Sequence, residues 1–264
     1  MSQAVAQQTP TDAATGKKTV RFRIRRQDGP QARPYWQEFN VPFTPGMNVI
    51  AALMEIRRNP VTADGKNVAA VAWEASCLEE ICGICSMRIN GRPRQACSAI
   101  VETLTAPVKL EPLGKFPCVR DLVVDRANMF EHLKRAKTWI PIDGTYDLGP
   151  GPRYDDGLRQ WQYELSKCFT CGICLEVCPN YGAQSTFMGA QVINQVVRFN
   201  LHPTGRMQKN ERLEAMMGEG GVLDCGNAQN CVQACPKGIP LTESIAELKR
   251  ETLVYSLTNW ATRK

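Results

Sequence analysis

Twelve cysteines in a chain of 264 residues fall into regularly spaced groups. The first is "CLEEICGIC", which places Cys77, Cys82 and Cys85, with Cys97 further on. The second is "CFTCGICLEVCP", with Cys168, Cys171, Cys174 and Cys178 ahead of Pro179. The third is "CGNAQNCVQACP", with Cys225, Cys231 and Cys235 ahead of Pro236, and Ala228 where the template has another cysteine. Thiolate sulfur is a soft ligand that suits iron. A gap of four, a gap of two and a remote fourth cysteine is a [2Fe–2S] spacing, whereas two gaps of two, then three, then Cys-Pro is a [4Fe–4S] spacing. Zinc favours paired ligands with short internal gaps and needs neither the fourth cysteine of the second run nor its proline. A disulfide framework belongs to short chains in oxidising compartments.

Where two such runs occur together, the fourth cysteine of each ligates the cluster of the other. Cys168, Cys171 and Cys174 then join Cys235 around a [4Fe–4S] cluster. Cys225 and Cys231 join Cys178. Ala228 leaves that site three thiolates, which suits a [3Fe–4S] cluster with one empty corner. A [4Fe–4S] cluster whose fourth iron is open or held by another ligand is the alternative. Cys118 stands outside the groups and is expected as a free buried thiol.

These ligands need elements to hold them. "TVRFRIRR" alternates Val20, Phe22 and Ile24 as a half-buried strand does. "NVIAALMEIRR" has helical apolar spacing and stops before Pro60. Asn90-Gly91 between two alternating runs predicts a hairpin, and "PVKLEPL" a further strand. Gly83 allows the first cysteine loop to wrap closely. The pattern alone is α+β. Beyond it, "VRDLVVDRANMFEHLKRAKTWI" puts Leu122, Val123, Met129, Phe130 and Leu133 on one helical face. "GLRQWQYELSK", "GAQVINQVVRFN", "NERLEAMMGEG" and "LTESIAELKRETLVYSL" also read as helices. "WIPIDGTYDLGPGPR", residues 139–153, reads as a Gly- and Pro-rich connector. The expected organisation is a disordered tail over 1–17, a [2Fe–2S] domain over 18–115 and a helical two-cluster domain over 116–264.

The net charge of +6 is mild, and the basic residues do not interleave with aromatics, so no nucleic-acid partner is expected. No apolar stretch approaches the ~18 residues that cross a bilayer. The N-terminus has no signal-like apolar core, so the default location is the cytoplasm. His132 is expected on an exposed helix face, and His202 as a hydrogen-bonded structural residue.

The strands, single helix and cysteine loop resemble the β-grasp fold of plant-type ferredoxins, and such a domain followed by an all-α two-cluster ferredoxin domain is a specific combination. It resembles the iron–sulfur subunits of succinate dehydrogenase and quinol:fumarate reductase, from about residue 18 to about residue 255. "NCVQACPKGIP" and the paired cysteine runs carry the resemblance; "ELSKCFTCGICLEVCPN" and "HPTGRM" are most similar to the menaquinone-linked type. It implies a chain that passes single electrons from the FAD of a flavoprotein subunit through three clusters to quinone. The resemblance also implies menaquinone at one or more membrane cytochrome b subunits carrying haem b, with this chain peripheral on the cytoplasmic face of the inner (plasma) membrane. Fumarate reduction uses the same path in reverse. Pro179, Asn180, Tyr181 and Lys237 fall beside the implied [3Fe–4S] cluster, placed either to approach quinone or to pack against the cluster and hydrogen-bond to it. Gly182, Ala183 and Gly226 replace residues that ubiquinone-reducing relatives use at their quinone site, while Cys85 keeps the third [2Fe–2S] ligand. A free-standing soluble ferredoxin-like carrier is the further alternative. The size of the chain and its long connector argue against that carrier.

Overall fold

The alternation of Val20, Phe22 and Ile24 with arginines becomes strand β1 (Thr19–Arg26), in which those three side chains are buried. The computed structural model describes residues 18–141, 153 and 155–262. The expected tail over 1–17 and most of the 139–153 connector lie outside them. β1 pairs antiparallel with β2 (Tyr35–Pro42). Helix α1 (Val49–Arg58) starts at Asn48, whose side chain accepts the Ala51 N–H at 2.8 Å. Its Val49, Ile50, Ala52, Leu53 and Ile56 share one core with Phe22, Ile24 and Phe39 of the sheet. The hairpin of β3 (Ser86–Ile89) and β4 (Arg92–Gln95) turns at Asn90 and Gly91, with φ of 49° and 80°. Two positive φ values in a two-residue loop match the twist of the flanking strands. β5 (Val108–Glu111) runs parallel to β1 and antiparallel to β3, giving the sheet order β2-β1-β5-β3-β4.

One expected helix is mostly something else. Residues 119–126 do not join the helical face; β6 (Cys118–Arg120) and β7 (Val123–Val124) form a small ribbon instead. The cause is Asp121, which turns the chain at a φ of 48° and is wholly buried. Its carboxylate accepts Arg26 Nε at 2.9 Å and the amides of Gln27 and Ala72 at 3.0 and 2.8 Å. Breaking such a buried pair costs about 3–5 kcal/mol, because the surviving charge is left without a partner. The ribbon is therefore fastened to the sheet. The chain divides between Asp125 and Arg126, beyond the expected boundary at 115/116. Only α2 (Ala127–Arg135) keeps the helical reading, and its Phe130 is exposed rather than packed.

Every regular element described in the second unit is helical: α2, α3 (Asp156–Ser166), α4 (Ile173–Glu176), α5 (Ala190–Leu201), α6 (Lys209–Met217), α7 (Asn230–Ala234) and α8 (Leu241–Thr262), with short 3-10 turns. α5 is its axis, buried without a break from Ala190 to Val197. Asn194 within it donates to the Leu165 carbonyl at 3.0 Å and accepts Ser244 Oγ at 3.3 Å, so that buried amide is satisfied. Arg212 is also fully buried, and donates to the carbonyls of Lys137, Trp139 and Gly205 and to Asn200 Oδ1. Four oxygens stand in for a counter-charge and tie the start of the connector to the helices.

Candidate metal centres

The first cysteine group sits at the base of the β3–β4 hairpin. Cys85 immediately precedes β3 and Cys97 closely follows β4. The register Ser86↔Gln95 and the Ala96 N–H donated to the Cys85 carbonyl at 3.2 Å bring those two together. Asn48, the cap of α1, also donates its side-chain amide to the Cys97 carbonyl at 2.8 Å. The loop carrying Cys77 and Cys82 closes over them through three left-handed residues, Leu78, Glu80 and Gly83, with φ of 61°, 56° and 72°. That winding aims the amides of Glu79, Ile81 and Cys82 at Cys77 Sγ, each at 3.3 Å. Three N–H dipoles stabilise a thiolate, and they hold the Cys77 thiol down to about 7. Burial acts oppositely on Cys85 and pushes it up to about 11. Ser98 donates to Glu80 and so ties the loop to the segment after Cys97. Leu78 and Ile81 are exposed beside the cysteines.

The cysteines of the second unit part between two cavities. Cys168, Cys171, Cys174 and Cys235 line one, with Gln191 and Lys237 on its wall. Cys178, Cys225 and Cys231 line the other, together with Ala228. Asn230 donates to the Val177 carbonyl at 3.1 Å and links the two runs. In the first cavity burial pushes Cys171 up to about 12 and raises Cys168 and Cys174. Desolvation is the leading cause in each case. Such thiols ionise only against positive charge, which iron supplies. Among the described residues no three His, Cys, Asp or Glu converge on one point as a single ion requires. The seven thiols fall instead into a set of four and a set of three, a donor set that suits iron–sulfur clusters.

The two runs share one backbone. Cys171 is flanked by left-handed Thr170 and Gly172, with φ of 59° and 85°. Ala228 is flanked by left-handed Asn227 and Gln229, with φ of 55° and 62°. A short helix starts directly after each loop, α4 at Ile173 and α7 at Asn230. Ala228 thus stands at the position equivalent to Cys171, in a loop of the same winding.

The other singled-out residues scatter. Pro179 and Asn180 line the Ala228 cavity and are exposed. Tyr181 is buried, edge-on to His132 with ring centroids 6.3 Å apart. Lys237 was expected beside the three-thiol site. It lines the four-thiol cavity instead, because the turn after Cys235 carries it there, and its ammonium lies 5.6 Å from the Phe169 ring centroid. His132 was expected to be exposed. It is buried, and that burial lowers its pKa. His202 Nδ1 pairs with Thr204 Oγ1 at 2.8 Å. Cys118 is free but only half-buried, its thiol 3.7 Å from the Asp121 carbonyl oxygen. Gln191 was missed. Its signal was a polar residue inside the apolar stretch "GAQVINQVV" of a buried helix.

Residues 21–131 match the family described as 2Fe-2S iron-sulfur cluster binding domain, and residues 164–239 match 4Fe-4S dicluster domain. The chain is 59% identical over 244 residues to the succinate dehydrogenase iron-sulfur subunit of Bacillus subtilis, covering 92% of this chain and 96% of that one. It is 31% identical to the fumarate reductase iron-sulfur subunit of Wolinella succinogenes, covering 83% and 90%. Its fold is similar to a chain of the Mycobacterium smegmatis Sdh1 complex in the apo form, with a TM-score of 0.74 at 24% identity, covering 89% and 96%. Two cluster domains in this order and relatives matched almost end to end agree: the chain belongs to the iron–sulfur, electron-transfer subunits of the succinate dehydrogenase and fumarate reductase family.

Proposed function

We propose that this chain carries single electrons from the FAD of a flavoprotein subunit to menaquinone at a haem b-bearing membrane subunit, as the peripheral, cytoplasmic-face part of a succinate:menaquinone oxidoreductase. Its thiolates divide into three sets. Cys77, Cys82, Cys85 and Cys97 hold a [2Fe–2S] cluster. Cys168, Cys171, Cys174 and Cys235 hold a [4Fe–4S] cluster. Cys178, Cys225 and Cys231 hold a [3Fe–4S] cluster. The observation that carries this reading is the division of the helical unit's cysteines into a cavity of four and a cavity of three, with Ala228 in the vacant seat. The clusters, when bound, supply one-electron chemistry that matches a two-electron flavin to a quinone. The protein holds the thiolates, keeps water from the buried ones and aims N–H dipoles at the half-buried Cys77.

Exposed Leu78 and Ile81 give the [2Fe–2S] loop an apolar rim suited to a partner subunit. Exposed Pro179 and Asn180 give the three-thiol cavity a rim suited to quinone. The same wire serves fumarate reduction; the 59% identity to a succinate dehydrogenase subunit, against 31% to a fumarate reductase subunit, favours succinate oxidation. No helix among the described residues is long and apolar enough to cross a membrane. Purification of the tagged chain from membranes tests the reading. Co-purified flavin and haem b, with clusters that succinate reduces, are expected. Recovery of the chain alone, without flavin, contradicts it.

A further inference from the structure

Gln191 lies on the wall of the four-thiol cavity and is 1% exposed. Neither its amide nitrogen nor its amide oxygen has a hydrogen-bond partner among the described residues. An unpaired carboxamide in an apolar interior keeps its full desolvation cost, so a buried amide implies an acceptor or donor it is built to meet. One turn further along α5, Gln195 presents the same face and donates to the Cys168 carbonyl at 3.5 Å. This face of α5 therefore looks onto the loop that carries Cys168, Cys171 and Cys174. Ile239 and Leu241 add apolar wall, while Lys167, Thr170 and Lys237 are the other polar side chains that line the cavity. The acceptors that belong to this cavity, once its thiols are ionised, are sulfurs. Of the two ends of the amide only the NH2 can serve them, which sets its orientation.

We propose that Gln191 is a positioning residue that donates an N–H to the sulfurs of the [4Fe–4S] site and thereby raises its reduction potential. The inference rests on the ligand set proposed above. A fixed N–H dipole stabilises the more negative of two oxidation states, and the reduced state carries the extra electron. Hydrogen bonds to cluster sulfurs are among the factors that set such potentials. Gln195, whose amide reaches both the Cys168 carbonyl and the Cys168 thiol, is a second donor on the same face of α5 and stays in place in the variants.

The test is a redox titration of the assembled complex, followed by electron paramagnetic resonance, for the native chain, Gln191→Met and Gln191→Leu. Methionine keeps the length of glutamine without the N–H, and leucine provides a second packing solution. At a given ambient potential the reduced-to-oxidised ratio of the [4Fe–4S] site is expected to fall about tenfold in both variants. For one electron that is a midpoint lower by about 59 mV. The [2Fe–2S] midpoint should not move. Unchanged [4Fe–4S] midpoints in both variants would overturn the proposal. Loss of the cluster from both would assign Gln191 to packing and overturn it as well. Absence of any [4Fe–4S] signal from the native complex would instead overturn the ligand set itself.

Discussion

The runs 168–178 and 225–235 wind their backbones alike and differ in one side chain at the equivalent seat, Cys171 in one and Ala228 in the other. A motif that had merely decayed would have no reason to keep paired left-handed residues around an alanine. Asn227 and Gln229 keep them, at φ of 55° and 62°, although neither is glycine. The surroundings differ too. The Cys171 loop is packed and its thiol pushed up to about 12, whereas Asn227, Ala228 and Gln229 are exposed. On the proposed assignment, one loop encloses a cluster and the other presents an open corner of one.

Four substitutions probe that difference, in order of falling effect. Cys231→Ser removes one of only three thiolates; the signal of the three-iron site should disappear while the [2Fe–2S] signal stays, as read by electron paramagnetic resonance. Loss of the [2Fe–2S] signal instead would break the ligand assignment. Ala228→Cys restores the fourth ligand. It should add one iron to the metal content and silence the oxidised-state signal. An unaltered iron count would mean the corner is closed to metal. Gly172→Ala forces a Cβ into a φ of 85° and should cost about 1–2 kcal/mol in chemical unfolding of the loaded chain. Gln229→Gly relieves the matching strain in the second loop but loosens the unfolded chain. It should stabilise by less than about 1 kcal/mol. If the last two substitutions had effects of the same sign, the two backbones would not be under matching constraint.

The grouping of the cysteines was legible in the residues because it is written in local spacing. The gaps among Cys77, Cys82 and Cys85, and those from Cys168 to Cys178, need no tertiary context, and neither does the Asn90-Gly91 turn. What escaped depends on distant partners. Residues 119–126 have helical spacing, but Asp121 answers to Arg26, 95 positions away, and that pair turns the chain into a ribbon. His132 sits among charged helix neighbours, yet Tyr181 from another segment covers it. The destination of Lys237 depends on which run completes which cavity. Gln191 looked like one more helical glutamine until the fold set it against four thiols.

The open corner at Ala228 is tested most directly by electron paramagnetic resonance of the complex as isolated in air. Oxidised [2Fe–2S] and [4Fe–4S] clusters have even electron counts and are silent, whereas an oxidised [3Fe–4S] cluster has an unpaired spin. A sharp signal in the oxidised sample, lost on reduction, is the predicted result. A silent oxidised sample with full iron content would place a fourth iron beside Ala228 and contradict the three-thiol site.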